Sequence, residues 1–220
     1  MAINAVYYGK ARTEIASLLP VSSEKVLEIG SGTGATLAWL RDRWPTAHFT
    51  GIDCLEAARK PLSEAADVSI IADLDKAIPE LDQYDLILAL DVLEHLVDPW
   101  AVLRHLGEHL TPEGTIIVSV PNVSRLSVSL PLLLGNRFRY TADGILDRTH
   151  LRFFTPETAA ELITGAGLAI EDARLTGLDR AKPKLLNKIS FGLLRRHLAI
   201  QTVMRARKTG SFRKPTWAPI

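Results

Sequence analysis

The stretch VLEIGSGTG, Val26–Gly34, decides how the rest of the chain is read. An apolar, strand-like run enters Gly30, Ser31, Gly32, Thr33 and Gly34, and a helical pattern follows over about Ala35–Trp44. Glycine is needed where the chain reverses tightly and where a ligand must touch backbone with no Cβ in the way. The helix start beyond supplies free N–H groups, so strand, turn and helix together form a receptor for a polar ligand. Glu28 breaks the apolar run. A carboxylate inside such a strand must find a partner or stay near solvent.

Outward from this turn, strand-like and helix-like segments alternate, which predicts a mainly parallel sheet covered on both faces. The strands fall at Lys25–Gly30, His48–Asp53, Asp67–Ala72, Tyr84–Leu90 and Thr115–Val120, the last preceded by a TPEG turn at Thr111–Gly114. Helices are expected at Asn4–Leu19, Leu55–Ala65 and Pro99–Leu110. After Pro121 the rhythm breaks. Residues 122–154, with the apolar run LSVSLPLLL, are too long for a simple connection and read as a lid or substrate wall. The pattern resumes with a helix at Thr155–Ala166, capped by Thr155 and Pro156 and ended by Gly167. A sixth strand follows at Leu168–Leu175, then a basic amphipathic helix at Lys184–Arg196 and a seventh strand at Ala199–Ala206. The whole reads as a single domain over 1–220, with a ligand-binding core at 1–121, a lid at 122–154, and C-terminal helices and strands at 155–220.

The 220 residues are 47% hydrophobic, enough for one full core. Cys54 is the lone cysteine, which excludes an internal disulfide and suits a reducing cytoplasm. The first twenty residues lack the apolar core of a signal peptide, and the apolar runs are too short to span a bilayer. The net charge of +1 conceals an asymmetry: residues 180–220 carry 11 of the 26 Lys and Arg and none of the 25 acids. Such a tail either packs on the acidic body or meets an anionic partner. For Lys184–Arg196 packing on the body is the expectation, with peripheral membrane contact as the alternative.

Two further acids complete a ligand site. Asp53 ends the second strand, where a carboxylate can accept hydrogen bonds from vicinal ribose hydroxyls. Asp73 ends the third and can accept a hydrogen bond from an adenine amino group. The glycine loop alone also fits the dinucleotide form G-x-G-x-x-A over Gly30, Gly32 and Ala35, so a nicotinamide oxidoreductase is a second reading.

With these residues in hand, the chain resembles the class I S-adenosylmethionine-dependent methyltransferases. Glu28-x-Gly30-x-Gly32-x-Gly34 is similar to that family's first motif, Asp53 to its ribose-binding acid, and Asp73-Leu74 to its adenine position. The segment YDLILALDVLEHLVDP is similar to the later motif, with Leu90 and Asp91 beside the sulfonium and Glu94-His95 just beyond. The resemblance implies S-adenosylmethionine as cofactor, held by Glu28, Gly30, Ser31, Gly32, Gly34, Asp53, Cys54, Asp73, Leu74, Leu90 and Asp91. It also implies a Rossmann-like sheet of seven strands whose last strand runs antiparallel. GILDRTHLRFFTP, Gly144–Pro156, looks like a subgroup found beside polysaccharide glycosyltransferases, which implies a sugar or lipid-linked glycan hydroxyl as acceptor.

Methyl transfer to oxygen is helped by a base. His95 and His150 are the candidates, and Arg148 and Arg152 could hold an anionic group of the acceptor. His105 and His109 read as surface residues. No Cys/His cluster has metal-ligand spacing, so no metal is expected. No nucleic-acid-binding module accompanies the basic tail, and no specific nucleic-acid partner is expected. The sequence leaves the oligomeric state open.

Overall fold

The structure, a computed structural model, describes residues 9–208. Its centre is a seven-stranded sheet in the order β3-β2-β1-β4-β5-β7-β6. The strands are β1 (Lys25–Ile29), β2 (His48–Asp53), β3 (Val68–Ile71), β4 (Tyr84–Leu90), β5 (Leu110–Pro121), β6 (Ala169–Leu175) and β7 (Gln201–Arg207). β7 pairs antiparallel with both β5 and β6, and the remaining pairs are parallel. The Rossmann-like sheet expected from the sequence, with its reversed last strand, is the observed one.

The helices are α1 (Ala35–Arg43), α2 (Arg59–Ala65), α3 (Pro99–Glu108), α4 (Leu126–Gly135), α5 (Pro156–Gly165), α6 (Ala181–Ile189) and α7 (Arg195–Leu198). Side chains alternate across a strand, and the two central strands send each set into a different core. Leu27, Ile29, Ile87 and Ala89 pack with Leu103 and Leu106 of α3 and Ile163 of α5. Val26, Leu86 and Leu88 pack on the other face with Leu37 and Leu40 of α1 and Leu62 of α2. Burial on both faces explains why β1 and β4 read as nearly continuous apolar runs. Glu28, in step with Val26, falls on the α1 side.

Several boundaries differ from the sequence reading. The lead-in helix at Asn4–Leu19 is a 3-10 turn, Thr13–Leu18, and residues 4–8 of that expectation lie outside the described residues. TPEG is not a separate turn but part of β5, which starts at Leu110 and shifts register between Tyr84 and Leu86 of its neighbour. The apolar run of the connection is α4 itself, which buries Val128 alone and turns Leu133 and Leu134 outward.

The basic helix at Lys184–Arg196 is two helices. The chain breaks where Phe191 and Gly192 adopt left-handed backbone angles, φ +51° and +86°. α6 lies beside Arg125, Leu126 and Ser127 at the start of α4 but sits only lightly on the body. None of its residues is buried, and Leu185, Ile189, Phe191 and Leu193 are largely exposed. The part of the basic tail that does neutralise the body is β7, whose Arg205 and Arg207 pair with Glu171 at 2.9 and 2.7 Å.

Gly34 sits at the entry to α1 with φ +76°, and a Cβ there would stand 2.5 Å from that of Ala65 on α2. A left-handed backbone and a helix–helix collision therefore act together. Gly34→Ala is expected to cost about 2–4 kcal/mol, read as a lowered midpoint of thermal unfolding.

Candidate active site

The parallel strands end at one edge of the sheet, and the polar residues of β1, β2 and β4 gather there. The glycine turn is tied to β2 from below. Ser31 Oγ donates to the Glu28 carbonyl at 2.6 Å and accepts from the Ile52 N–H at 3.1 Å. The Gly32 N–H donates to Asp53 Oδ2 and the Leu55 N–H to Oδ1, both at 2.8 Å. Asp53 is thus a clamp on the turn as well as an acceptor, since each carboxylate oxygen keeps a second lone pair. Cys54, next to it, is exposed, and its thiol is pushed up by partial burial and by Asp53 and Asp73.

A cleft of about 330 Å³ opens above the turn and is lined by Glu28, Gly30, Ser31, Gly32, Leu90 and Asp91 among others. Six of the residues expected to hold the cofactor are therefore brought together. Gly34, Asp53, Cys54, Asp73 and Leu74 do not line it. Asp73 is held in an ion pair with Lys76 at 2.9 Å and accepts from the Asp75 N–H, and Leu74 packs on the core.

Glu28 is the most constrained group in the cleft. Its side chain is buried, a hydrogen bond from Thr36 in the first turn of α1 reaches it, and Oε2 has no partner. Burial pushes its carboxyl up to about 8, against the opposing pull of Thr36 and Arg12. An unpartnered acceptor at the floor of a polar cleft is suited to a charged N–H donor from a ligand.

Asp91, immediately after β4, has a left-handed backbone, φ +53°. Three elements hold it there: Ser119 Oγ of β5 donates at 2.8 Å, Gln201 of β7 donates to its other oxygen, and Arg12 pairs with it at 2.8 Å. Arg12 and Gln201 also line the cleft. The sequence reading missed both. Gln201 carries no local signal, because its place depends on β7 inserting beside β5; Arg12 had one, a cation in a lead-in read as a packing helix.

Beyond Asp91, Leu93–His95 forms a 3-10 turn that meets the end of the 122–154 connection. The Leu151 and Arg152 N–H groups donate to the Glu94 carbonyl at 2.8 and 3.0 Å. This brings His150 beside His95, with ring centroids 4.7 Å apart and edge to face. Nδ1 of His95 lies 3.2 Å from the Thr149 carbonyl and Nδ1 of His150 lies 3.0 Å from that of Ile145. A carbonyl can only accept, so both rings carry the proton on Nδ1 and leave the Nε2 lone pair free. Burial, and His150 after it, holds the His95 imidazole below its usual range. Glu94 is 1% exposed, neither of its carboxylate oxygens has a hydrogen-bond partner, and burial and Asp91 push its carboxyl well up.

Arg152 donates to the Val97 carbonyl and lies 5.9 Å from the Trp100 ring, while Arg148 is exposed. The ring of His105 on α3 lies 4.5 Å from that of His109 at the helix end, tilted by 38°.

Residues 5–173 match the model of a methyltransferase domain. The chain belongs to that family. S-adenosylmethionine is accordingly its cofactor, and the nicotinamide reading of the glycine loop falls away. The methyltransferase chain is 27% identical over 161 residues to the ubiquinone biosynthesis O-methyltransferase of Aeromonas salmonicida, covering 68% of this chain and 64% of that one. It is 35% identical over 119 residues to the trans-aconitate 2-methyltransferase of Escherichia coli, covering 52% and 46%. The chain thus spans between about half and two thirds of the length of these curated relatives. The fold is similar to that of an S-adenosylmethionine-dependent methyltransferase from Mesorhizobium loti, with TM-score 0.61 at 18% identity, covering 88% and 95%.

The raised carboxyl of Glu28 has a consequence for stability. The folded chain keeps a proton there that the unfolded chain releases near the ordinary value of 4.5. Its contribution is complete below about pH 4.5 and is lost as pH rises through about 8. Glu28→Gln is expected to flatten the fall in the unfolding midpoint between pH 5 and pH 9, leaving the part that Glu94 supplies in the same direction. A wild-type midpoint constant over that range would contradict it.

Proposed function

We propose that this methyltransferase transfers the methyl group of S-adenosylmethionine to an oxygen of a small-molecule or glycan acceptor presented at a membrane surface. The observation that carries the transfer is the buried, unpartnered Glu28 carboxyl in the cleft of the glycine turn. When bound, the cofactor supplies a methyl already made electrophilic by its sulfonium. The chain must hold it, orient the acceptor and exclude water, and such positioning can lower a barrier by roughly 7–11 kcal/mol. Glu28 receives the ammonium, the turn offers its N–H groups, Asp53 uses its remaining lone pairs on the ribose, and Asp73 and Leu74 take the adenine. Asp91 and Leu90 face the sulfonium. His95 and His150, with Nε2 lone pairs free and the lid folded onto them, handle the acceptor hydroxyl.

Oxygen as the acceptor atom rests on that histidine pair, and a relative named as an O-methyltransferase agrees with it. The glycan reading rests on the Gly144–Pro156 segment, which supplies His150 and closes against the Leu93–His95 turn. Labelled cofactor offered with nucleotide sugars, lipid-linked oligosaccharides and quinols tests the acceptor class. Label appearing in none of them but in carboxylic acids would replace the reading.

The membrane part rests on a specific surface. Leu185, Ile189, Phe191 and Leu193 are exposed beside Lys184, Lys188 and Arg195, none of which forms an ion pair among the described residues. A broken, basic and apolar segment of this kind suits the interface of an anionic bilayer. Each basic residue near such a surface contributes about 1 kcal/mol. In flotation with anionic vesicles at low salt the protein is expected to rise with the lipid, and changing Lys184, Lys188 and Arg195 to Gln is expected to leave it behind. Equal flotation of the variant would remove the surface from the proposal.

For the cofactor, Asp53→Ala removes both the ribose acceptor and the clamp on Gly32. Hydrogen bonds to a charged group contribute about 1.5–3 kcal/mol, so the dissociation constant of S-adenosylhomocysteine, measured by calorimetry, is expected to rise at least about tenfold. An unchanged constant would take Asp53 out of the site.

A further inference from the structure

We propose that Glu94, His95 and His150 form a binding site for a divalent transition-metal ion of the zinc type. The three residues each offer one ligand atom, and these atoms lie within 4.8 Å of one another. Nε2 of His150 stands 4.0 Å from Glu94 Oε1. Ligands about 2.0–2.2 Å from a tetrahedral zinc stand roughly 3.3–3.6 Å apart, so side-chain adjustments of an ångström or less close the set.

Three independent features prepare the site. Both imidazoles give their Nδ1–H to a backbone carbonyl, of Thr149 and of Ile145. This is the outer-shell pattern that fixes the tautomer and aims Nε2 at a metal. Glu94 and His150 are 1% and 6% exposed, and both Glu94 carboxylate oxygens lack a hydrogen-bond partner. A buried carboxyl with no donor is costly, and a cation answers both its charge and its lone pairs. Two imidazoles and one carboxylate are also the mixed N/O donor set that suits zinc, manganese or iron rather than magnesium or calcium. Chain order hides the site, because His150 reaches Glu94 through the far end of the lid.

A set of three protein ligands leaves a coordination position open. On the methyltransferase reading above, an acceptor hydroxyl bound there would release its proton to solvent water more readily, leaving the oxygen lone pair to take the methyl group. An Nε2 that ligates a metal cannot itself take a proton, so the histidine pair acts on the acceptor through the ion.

The test is calorimetry of the chelator-treated protein with Zn²⁺ alone, and visible absorption with Co²⁺ alone. One equivalent of Zn²⁺ is expected to bind, and Co²⁺ is expected to give the intense bands of a four- or five-coordinate site. Outer-shell changes cost about 10- to 100-fold in metal affinity, so loss of a ligand in Glu94→Gln, His95→Gln or His150→Gln is expected to cost about 100-fold or more. His105→Gln, in the other histidine pair, is expected to change nothing. If a Glu94 or His150 variant fails to fold, the half-buried His95 and the Co²⁺ spectrum of the wild type decide. No stoichiometric binding, binding untouched by His95→Gln, or binding lost in His105→Gln would overturn the site. S-adenosylhomocysteine binding, measured in the same samples, separates failure of the metal site from failure of the methyltransferase reading.

Discussion

The rest of the structure depends on the burial of β1 and β4 on both faces. A strand covered by helices above and below can carry polar side chains only where it ends or where a special partner waits. In a parallel arrangement those ends share one edge, so the cleft, the glycine turn and the Asp91–His95 segment converge without any long-range design beyond the sheet order. Glu28 is the exception within a strand. It is tolerated because it lies one residue from the end of β1, on the side where Thr36 of α1 can reach it.

The second organising element is a pair of carboxylates used as backbone staples. Asp53 holds two N–H groups of the turn that follows it and of the turn beside it. Asp91 is itself held, by Arg12, Ser119 and Gln201, in a backbone conformation that non-glycine residues seldom adopt. The first makes the glycine turn rigid. The second ties the cleft to the lead-in segment and to β7, so that three distant parts of the chain meet at one carboxylate.

Much of this was legible in the sequence, for a physical reason. An acid in an apolar strand and glycines before a helix are local violations of a regular pattern, and Glu28, Gly30, Ser31 and Gly32 were found that way. Asp53 and Asp73 were found at strand ends, but the cleft does not include them. What stayed hidden depends on contacts between separate elements. His150 was noticed as a histidine, yet its partner Glu94 gains meaning only when the Leu151 and Arg152 amides dock on it. The amphipathic period of Lys184–Arg196 was real, but it could not show that Phe191 and Gly192 break the helix, nor that its apolar side faces outward.

The insertion of β7 between β5 and β6 also governs when this protein can fold. As the chain leaves the ribosome, β5 and β6 emerge before the strand that joins them. Until Gln201–Arg207 arrives, β5 presents an open edge bearing Ile116, Ile117 and Val118, and β6 has no neighbour in the sheet. Such edges invite pairing with other chains. The interval between synthesis of residues 121 and 207 is therefore a window of vulnerability, during which a chaperone at the β5 edge would matter more than at any later time.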